Sequence, residues 1–101
     1  MNYRFHPDAE GELDAACAYY ESRRAGLGRR FAEAFDEALA KVLQHPLAWG
    51  VLDEPFRVCR LKRFPYGLLY EPRAAEIVIV AVMDLHRRPG YWKDRVESNE
   101  E

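Results

Sequence analysis

The spacing of apolar residues changes near the middle of the chain, and this change constrains the fold more than any other feature. In the first half, apolar side chains recur every three or four residues, as on one face of a helix. They do so in two groups: Leu13, Ala16, Cys17 and Tyr20, then Phe31, Phe35, Ala38 and Val42. From Arg57 onward the period is two, or the apolar run is unbroken, as in strands. The chain therefore predicts two helices followed by a strand meander.

Turn signals place the ends of the two helices. The first helix opens at His6-Pro7-Asp8, because proline is well accommodated at the first helical position. The segment Ala25-Gly26-Leu27-Gly28 predicts a tight turn. The second helix then runs from about Leu27 to Gln44, since His45 precedes a proline and is disfavoured in the α region. Two helices joined by so short a turn are expected to pack antiparallel.

Four strands are predicted around this helical hairpin. They are Asn2 to Phe5, Arg57 to Phe64, Tyr66 to Tyr70 and Glu76 to Met83, with a loop at residues 47–56. The last strand is apolar from Ile77 to Met83, which predicts a central strand covered on both faces. We therefore expect an α+β, two-layer domain with the hairpin on one face of a mainly antiparallel sheet of about four strands. The other face is expected to contact solvent or a partner, and the strand order is left open.

A chain of 101 residues predicts one domain, which we place at residues 1–96 and follow with a polar tail at 97–101. Cys17 and Cys59 match no metal or redox spacing and are expected to be small buried hydrophobic residues. No metal site and no cofactor are expected. No secretory leader is recognisable, and the longest apolar run is too short for a bilayer. A cytoplasmic location without membrane contact is therefore expected.

Charge is distributed unevenly along the chain. The formal net charge of −2 argues against a dedicated nucleic-acid binder. From Asp8 to Glu54 there are ten acids and five bases, whereas from Arg57 to Arg95 there are nine bases and four acids. The helical half is therefore acidic and the strand half basic, which indicates a polarised surface.

Several separated motifs resemble one known family. They are Phe5-His6-Pro7 with Glu12-Leu13, Tyr19-Tyr20-Glu21, Gly26-Leu27-Gly28 with Phe31, Arg60 to Tyr66 with Tyr70, and Ile77 to Val82 followed by Arg87 to Trp92. Their order and spacing resemble the RelE/ParE superfamily of toxins, also called plasmid-stabilisation proteins. The resemblance extends from about Tyr3 to Arg95.

This resemblance implies the toxin half of a type II toxin–antitoxin system, which inhibits growth until a cognate antitoxin neutralises it. Antitoxins of this family wrap their toxins with an extended segment and a helix. A heterotetramer or a larger complex with the antitoxin is compatible with the family. An acidic partner would be attracted to the basic side of the sheet.

The resemblance leaves three mechanisms open. RelE-like members cleave messenger RNA on the ribosome, ParE-like members bind DNA gyrase, and a member of unknown target would only bind its antitoxin. Asp84 stands where close relatives usually carry a histidine, and Leu85 stands where the RelE branch places an arginine. Both departures favour the gyrase-type or another non-catalytic mechanism, although a messenger RNA endoribonuclease stays open as the alternative.

Candidate site residues come from the basic half of the chain. The candidates for ribonuclease catalysis are Arg60, Lys62, His86, Arg87 and Tyr91. The candidates for target binding are Arg60, Lys62, Arg63, Arg87, Arg88, Tyr91 and Trp92. A strand period of two predicts that Arg60 and Lys62 share a face, and that both lie near Arg87 and Arg88 if the strand ends meet.

The pair Tyr91-Trp92 follows Pro89-Gly90 and admits two interpretations. It could be an exposed platform on which bases stack. The favoured interpretation is a lid that folds back on the sheet edge and buries apolar area. In such a lid the Tyr91 hydroxyl or the Trp92 indole N–H finds a hydrogen-bond partner.

Overall fold

The structure is a computed structural model that describes residues 2–97 of the chain. Its elements in chain order are β1 (Asn2–Phe5), α1 (Pro7–Arg23), α2 (Leu27–Gln44), β2 (Gly50–Asp53), β3 (Phe56–Arg60), β4 (Tyr66–Pro72), β5 (Glu76–Asp84) and α3 (Lys93–Glu97). The strands form one sheet in the order β1-β5-β4-β3-β2, in which β1 is parallel to β5 and the other pairs are antiparallel. The predicted α+β fold is confirmed.

Two details of the strand prediction were wrong. The sheet has five strands, because Gly50–Asp53 forms β2 where a loop was predicted. Strand β3 ends at Arg60, before Phe64, and Arg63 adopts a left-handed φ of 70° in the turn that follows. Strand β5 is buried from Ile77 to Met83 and lies between β1 and β4, as predicted for a central strand covered on both faces.

The α1–α2 turn is built around one carboxylate and two glycines. Glu21 accepts hydrogen bonds from the backbone N–H groups of Gly26, at 3.0 Å, and Gly28, at 3.0 Å. Gly26 has a φ of 88°, which favours glycine. A Cβ at Gly28 would lie 2.5 Å from the Cys17 carbonyl oxygen, so the close approach of the two helices requires glycine there.

One face of the sheet, which we call the helix face, is covered by α1 and α2. Phe31 and Phe35 on α2 are buried, as the predicted apolar stripe requires. Phe31 lies at the centre of an aromatic cluster, with ring centroids 5.4 Å from Tyr20, 5.0 Å from Phe64 and 4.9 Å from Tyr66. Apolar and aromatic packing therefore attaches the hairpin to the sheet.

The opposite face, which we call the lid face, is covered by the C-terminal lid, residues 91–97. The Trp92 side chain is 1% exposed and packs edge-on against Phe56, with ring centroids 5.1 Å apart. It belongs to a second apolar cluster that also contains Leu69, Val80 and Met83. The preferred interpretation of Tyr91-Trp92 as a lid is therefore confirmed. The predicted tail begins inside α3, since Glu97 is its last residue, and residues 98–101 lie outside the described residues.

Candidate functional site

The candidate site begins where β5 loses its neighbour on one side. Strand β1 pairs with β5 only as far as Phe5 and Ile79, whereas β5 continues to Asp84. Side chains replace the missing strand: the Val82 N–H donates to Glu12 Oε1 at 2.9 Å, and Arg95 Nη1 donates to the Val80 carbonyl at 3.0 Å. The free edge of β5 is thus satisfied by one residue of α1 and one of α3.

A carboxylate, a guanidinium and a phenol meet at this edge, and we call Glu12, Tyr91 and Arg95 the Glu12 clasp. Arg95 donates to both Glu12 oxygens, with Nη1–Oε1 at 2.9 Å and Nη2–Oε2 at 2.8 Å. The Tyr91 hydroxyl donates to Glu12 Oε2 at 2.8 Å. The side chains of Glu12 and Arg95 are 17% and 12% exposed. A bidentate pair at such low exposure fixes the lid against α1.

The clasp determines the protonation of its own members. Burial alone raises the pKa of the Glu12 carboxyl, but hydrogen bonds from Arg95, Tyr91 and the Val82 amide outweigh burial and hold this pKa below its ordinary value. Burial and the hydrogen bond to Glu12 raise the pKa of the Tyr91 phenol far above its ordinary value. Glu12 is therefore an ionised acceptor, and Tyr91 is a protonated donor.

Arg87 lies on the solvent side of the clasp. Its guanidinium carbon is 3.9 Å from the centroid of the Tyr91 ring, and its Nη1 is 3.8 Å from Glu12 Oε2. The Arg87 side chain is nevertheless 54% exposed. A cation over an aromatic face and beside a carboxylate is held in place while its remaining N–H groups stay accessible.

A groove of about 600 Å³ runs beside Arg87, between α1 and the segment that follows β5. Its walls include Ala15, Ala16, Tyr19, Tyr20, Pro65, Tyr66, Val82, Asp84, His86 and Arg87. His86 is tied to Asp84, because its backbone N–H donates to Asp84 Oδ1 at 2.9 Å and its Nδ1 lies 3.3 Å from the same atom. The groove thus combines aromatic walls with charges of both signs.

The predicted cations are divided between this groove and a second one. The second groove lies between α2 and the β3–β4 turn and is lined in part by Lys62 and Arg63. Lys62 Nζ lies 3.3 Å from Glu37 on α2, so Lys62 does not share a strand face with Arg60 as predicted, because β3 has already ended. Arg60 is exposed at the end of β3, and Arg88 is exposed beside Arg87. The strand ends do meet, but Lys62 and Arg87 pair with acids on different helices.

Two target-binding candidates are engaged within the structure, as the lid interpretation predicted. Trp92 is buried in the lid face, and its indole N–H has no hydrogen-bond acceptor among residues 2–97. Tyr91 has its hydroxyl bound to Glu12 and its ring under Arg87. Sequence reasoning missed Glu12 and Arg95 as site residues. The only signal for Glu12 was its place in the Glu12-Leu13 pair of the family resemblance.

Neither a metal-ligand cluster nor a membrane-spanning helix is found in the described part of the chain. Residues 2–97 contain no group of three or more histidine, cysteine or acidic side chains that could hold a metal ion. No helix among them is long and apolar enough to span a membrane.

A helical hairpin packed on one face of this mixed sheet is the fold that the RelE/ParE resemblance implies. The sequence model of the family described as ParE toxin of type II toxin–antitoxin system, parDE, matches residues 3–89, and the chain belongs to that family. A solved structure described as the chromosomal ParDE TA system from P. aeruginosa is similar in fold, with a TM-score of 0.63 and 16% identity. The similarity covers 85% of this chain and 97% of that one. A comparison with curated protein sequences finds no significant match.

Proposed function

We propose that this ParE-family toxin inhibits growth by binding its target, DNA gyrase, and that it does not cleave RNA. The observation that carries the proposal is the Glu12 clasp, in which the carboxylate and the phenol that a nuclease could use as base and acid are bound to each other and to Arg95. The proposal places the toxin in the cytoplasm, where a cognate antitoxin neutralises it in a heterotetramer or a larger complex. The target is favoured by membership of the ParE family.

Ribonuclease chemistry needs a base for the ribose 2′-hydroxyl and an acid for the leaving oxygen. The Glu12 carboxylate accepts from Arg95, Tyr91 and Val82, so its lone pairs are occupied and its basicity is lowered. Tyr91 is a poor proton donor to a leaving group, because its raised pKa holds the proton on the phenol and the hydroxyl already donates to Glu12. The Glu12 carboxylate and the Tyr91 phenol therefore hold the lid against α1 and are poorly suited to proton transfer.

The remaining ribonuclease candidates do not complete a catalytic set. His86 has an acidic neighbour in Asp84, and Glu12 also borders the groove, so two carboxylates lie where a phosphate would bind. Lys62 is paired with Glu37 on α2, at the second groove. Arg60, Lys62, Arg63, Arg87 and Arg88 are exposed and are therefore better suited to contact a macromolecular surface.

Induction followed by pulse-labelling separates the mechanisms. If gyrase is the target, DNA synthesis falls and DNA-damage signalling rises while methionine incorporation continues. Purified toxin should also inhibit supercoiling by gyrase. Early loss of methionine incorporation, with transcripts cut within codons, would instead establish the messenger RNA endoribonuclease. A folded chain that leaves both processes intact but binds its antitoxin would be a family member of unknown target.

Two controls make the experiment specific. Co-expression of the small neighbouring gene should restore growth and yield a complex, whose mass by light scattering gives its stoichiometry. Arg87→Ala should reduce inhibition, whereas Arg29→Ala should not. Arg29 is the matched control because it is an exposed arginine on α2, 85% exposed and 3.8 Å from Glu33.

A further inference from the structure

The inference made here rests on the proposed function and concerns how the binding surface is held. Five cations were candidates for target binding: Arg60, Lys62, Arg63, Arg87 and Arg88. Among these five, and within residues 2–97, only Arg87 has its guanidinium over an aromatic ring, and its side chain is 54% exposed. The ring belongs to Tyr91, and the Tyr91 hydroxyl is bound to Glu12. An uninterrupted series of contacts therefore connects a partly buried carboxylate on α1 with an exposed cation at the groove.

We infer that Glu12 is a positioning residue for target binding, which acts through the Tyr91 ring to hold the Arg87 guanidinium toward an anionic group of the target. The Glu12 side chain itself is only 17% exposed. It fixes the tilt of the phenol through a 2.8 Å hydrogen bond, and the phenol face then supports the guanidinium 3.9 Å away.

The physical reason for such an arrangement is preorganisation. A free arginine samples many rotamers and loses that freedom when it binds. An arginine already held over a ring loses less, so more of the interaction energy is retained as affinity. A second contact, 3.8 Å from Arg87 Nη1 to Glu12 Oε2, further restrains the same guanidinium. At 54% exposure, the side chain keeps N–H groups available for a carboxylate or a phosphate on the target.

A structural role alone would make a different prediction. Glu12 also accepts from the Val82 amide and from Arg95, so its loss loosens the lid whether or not Arg87 matters. A structural role and a positioning role differ in whether the effect of substituting Glu12 or Tyr91 on target inhibition depends on the presence of Arg87. If Tyr91 and Glu12 act through Arg87, their substitution should have no further effect on target inhibition once Arg87 is absent.

The test is a double-mutant cycle on gyrase inhibition by purified toxin. Arg87→Ala and Tyr91→Leu should each raise the half-inhibitory concentration about tenfold, and the double variant should match Arg87→Ala within about twofold. Glu12→Gln should show the same dependence on Arg87. Tyr91→Phe, which keeps the ring and removes its anchor, provides the cycle if Tyr91→Leu fails to fold. Additive losses would overturn the inference.

A spectroscopic readout isolates positioning from folding. The Tyr91 ring current should displace the Arg87 Hε resonance, and Glu12→Gln should move this resonance toward its free value while the amide spectrum stays folded. An unmoved Arg87 resonance in Glu12→Gln would contradict the inference. If the wild type does not inhibit gyrase, the proposed target is wrong, and the same cycle is then scored on growth inhibition. A wild type that inhibits neither would refute both.

Discussion

The two faces of the sheet are held by different kinds of interaction. On the helix face, Phe31 and its aromatic neighbours attach the hairpin through apolar contact, and no polar or charged residue of the described chain is fully buried there. On the lid face, a short segment is attached by one buried indole and by the polar Glu12 clasp. Apolar packing has no charge to titrate, whereas the charged clasp is weakened when acid protonates Glu12.

The two faces of the sheet therefore contribute differently to stability and to the binding surface. The helix face supplies the larger core, because two helices pack there against β1, β3, β4 and β5. The lid face supports the exposed Arg87, and we expect it to open at a lower free-energy cost than the helix face. The predictions that follow test this contrast, beginning with the largest expected effect on the free energy of unfolding.

Phe31→Ala should cost the most stability. The side chain is fully buried and stacks or packs edge-on with three aromatic rings, so truncation leaves a large cavity at the helix face. We expect a loss of about 3–5 kcal/mol, measured by urea denaturation followed by far-UV circular dichroism. Phe5, which is only half-buried and stacks on Phe35, offers a matched control in Phe5→Ala with a smaller loss. Equal losses for the two variants would contradict the central place of Phe31.

Glu12→Ala should lower the free energy of unfolding by less than Phe31→Ala does, and it should loosen the lid in particular. Its removal leaves Arg95 without its bidentate partner and the Val82 amide without its acceptor. We expect a loss of about 2–3 kcal/mol, which is below the range for a fully buried pair because both side chains retain some exposure. Hydrogen exchange should rise first at Val82 and in α3, with the helix hairpin still protected. Uniform loss of protection across both faces would show that the lid is part of the main cooperative unit.

Acid should weaken the lid before the helix face. The pKa of Glu12 is lower in the folded chain than its ordinary value of 4.5, so its contribution to stability is complete above 4.5. That contribution is lost as the pH falls from 4.5 through the lowered pKa, because the unfolded state binds the proton first. A thermal melt series across this range should therefore be steeper for the wild type than for Glu12→Gln. Parallel curves would rule out Glu12 as the titrating group.

Trp92→Phe should be nearly neutral. The indole packs well, but its N–H finds no acceptor within residues 2–97, and an unmade hydrogen bond of a buried donor costs about 1–3 kcal/mol. Phenylalanine removes that donor while losing some apolar area, so the two effects offset each other to within about 1 kcal/mol. Calorimetry on Trp92→Phe and Trp92→Ala measures the difference. A loss with Phe as large as that with Ala would mean that the indole N–H is satisfied in solution.

The helix face was largely predictable from sequence, and the lid face was not. Helix α2 carries Phe31, Phe35, Ala38 and Val42 at helical spacing, and all four are buried. Local periodicity is enough for such an element, because its burial pattern repeats along the chain. The Glu12–Arg95 hydrogen bond joins residues 83 positions apart, so no local pattern indicates it.

The errors in the strand prediction have equally local causes. Strand β2 is exposed at all four positions, so it has no buried face from which alternation could be recognised. The end of β3 was overestimated because Cys59, Leu61 and Arg63 continue the alternation, whereas Arg63 adopts a left-handed φ of 70° that no strand allows. The same turn separates Lys62 from Arg60 and moves it to Glu37.

The paired substitution Arg87→Ala/Arg88→Ala should have the smallest effect on stability and a large effect on growth inhibition. Both side chains are exposed, and the ion pair of Arg87 with Glu12 is long, at 3.8 Å, so we expect about 0–1 kcal/mol from thermal melts. Trp92→Ala is the opposite control, because truncation of the buried indole should cost about 3–5 kcal/mol. Toxicity at equal soluble expression then separates contact from folding. If the arginine variant melts early, or stays folded and fully toxic, the assignment of these residues to a binding surface is wrong.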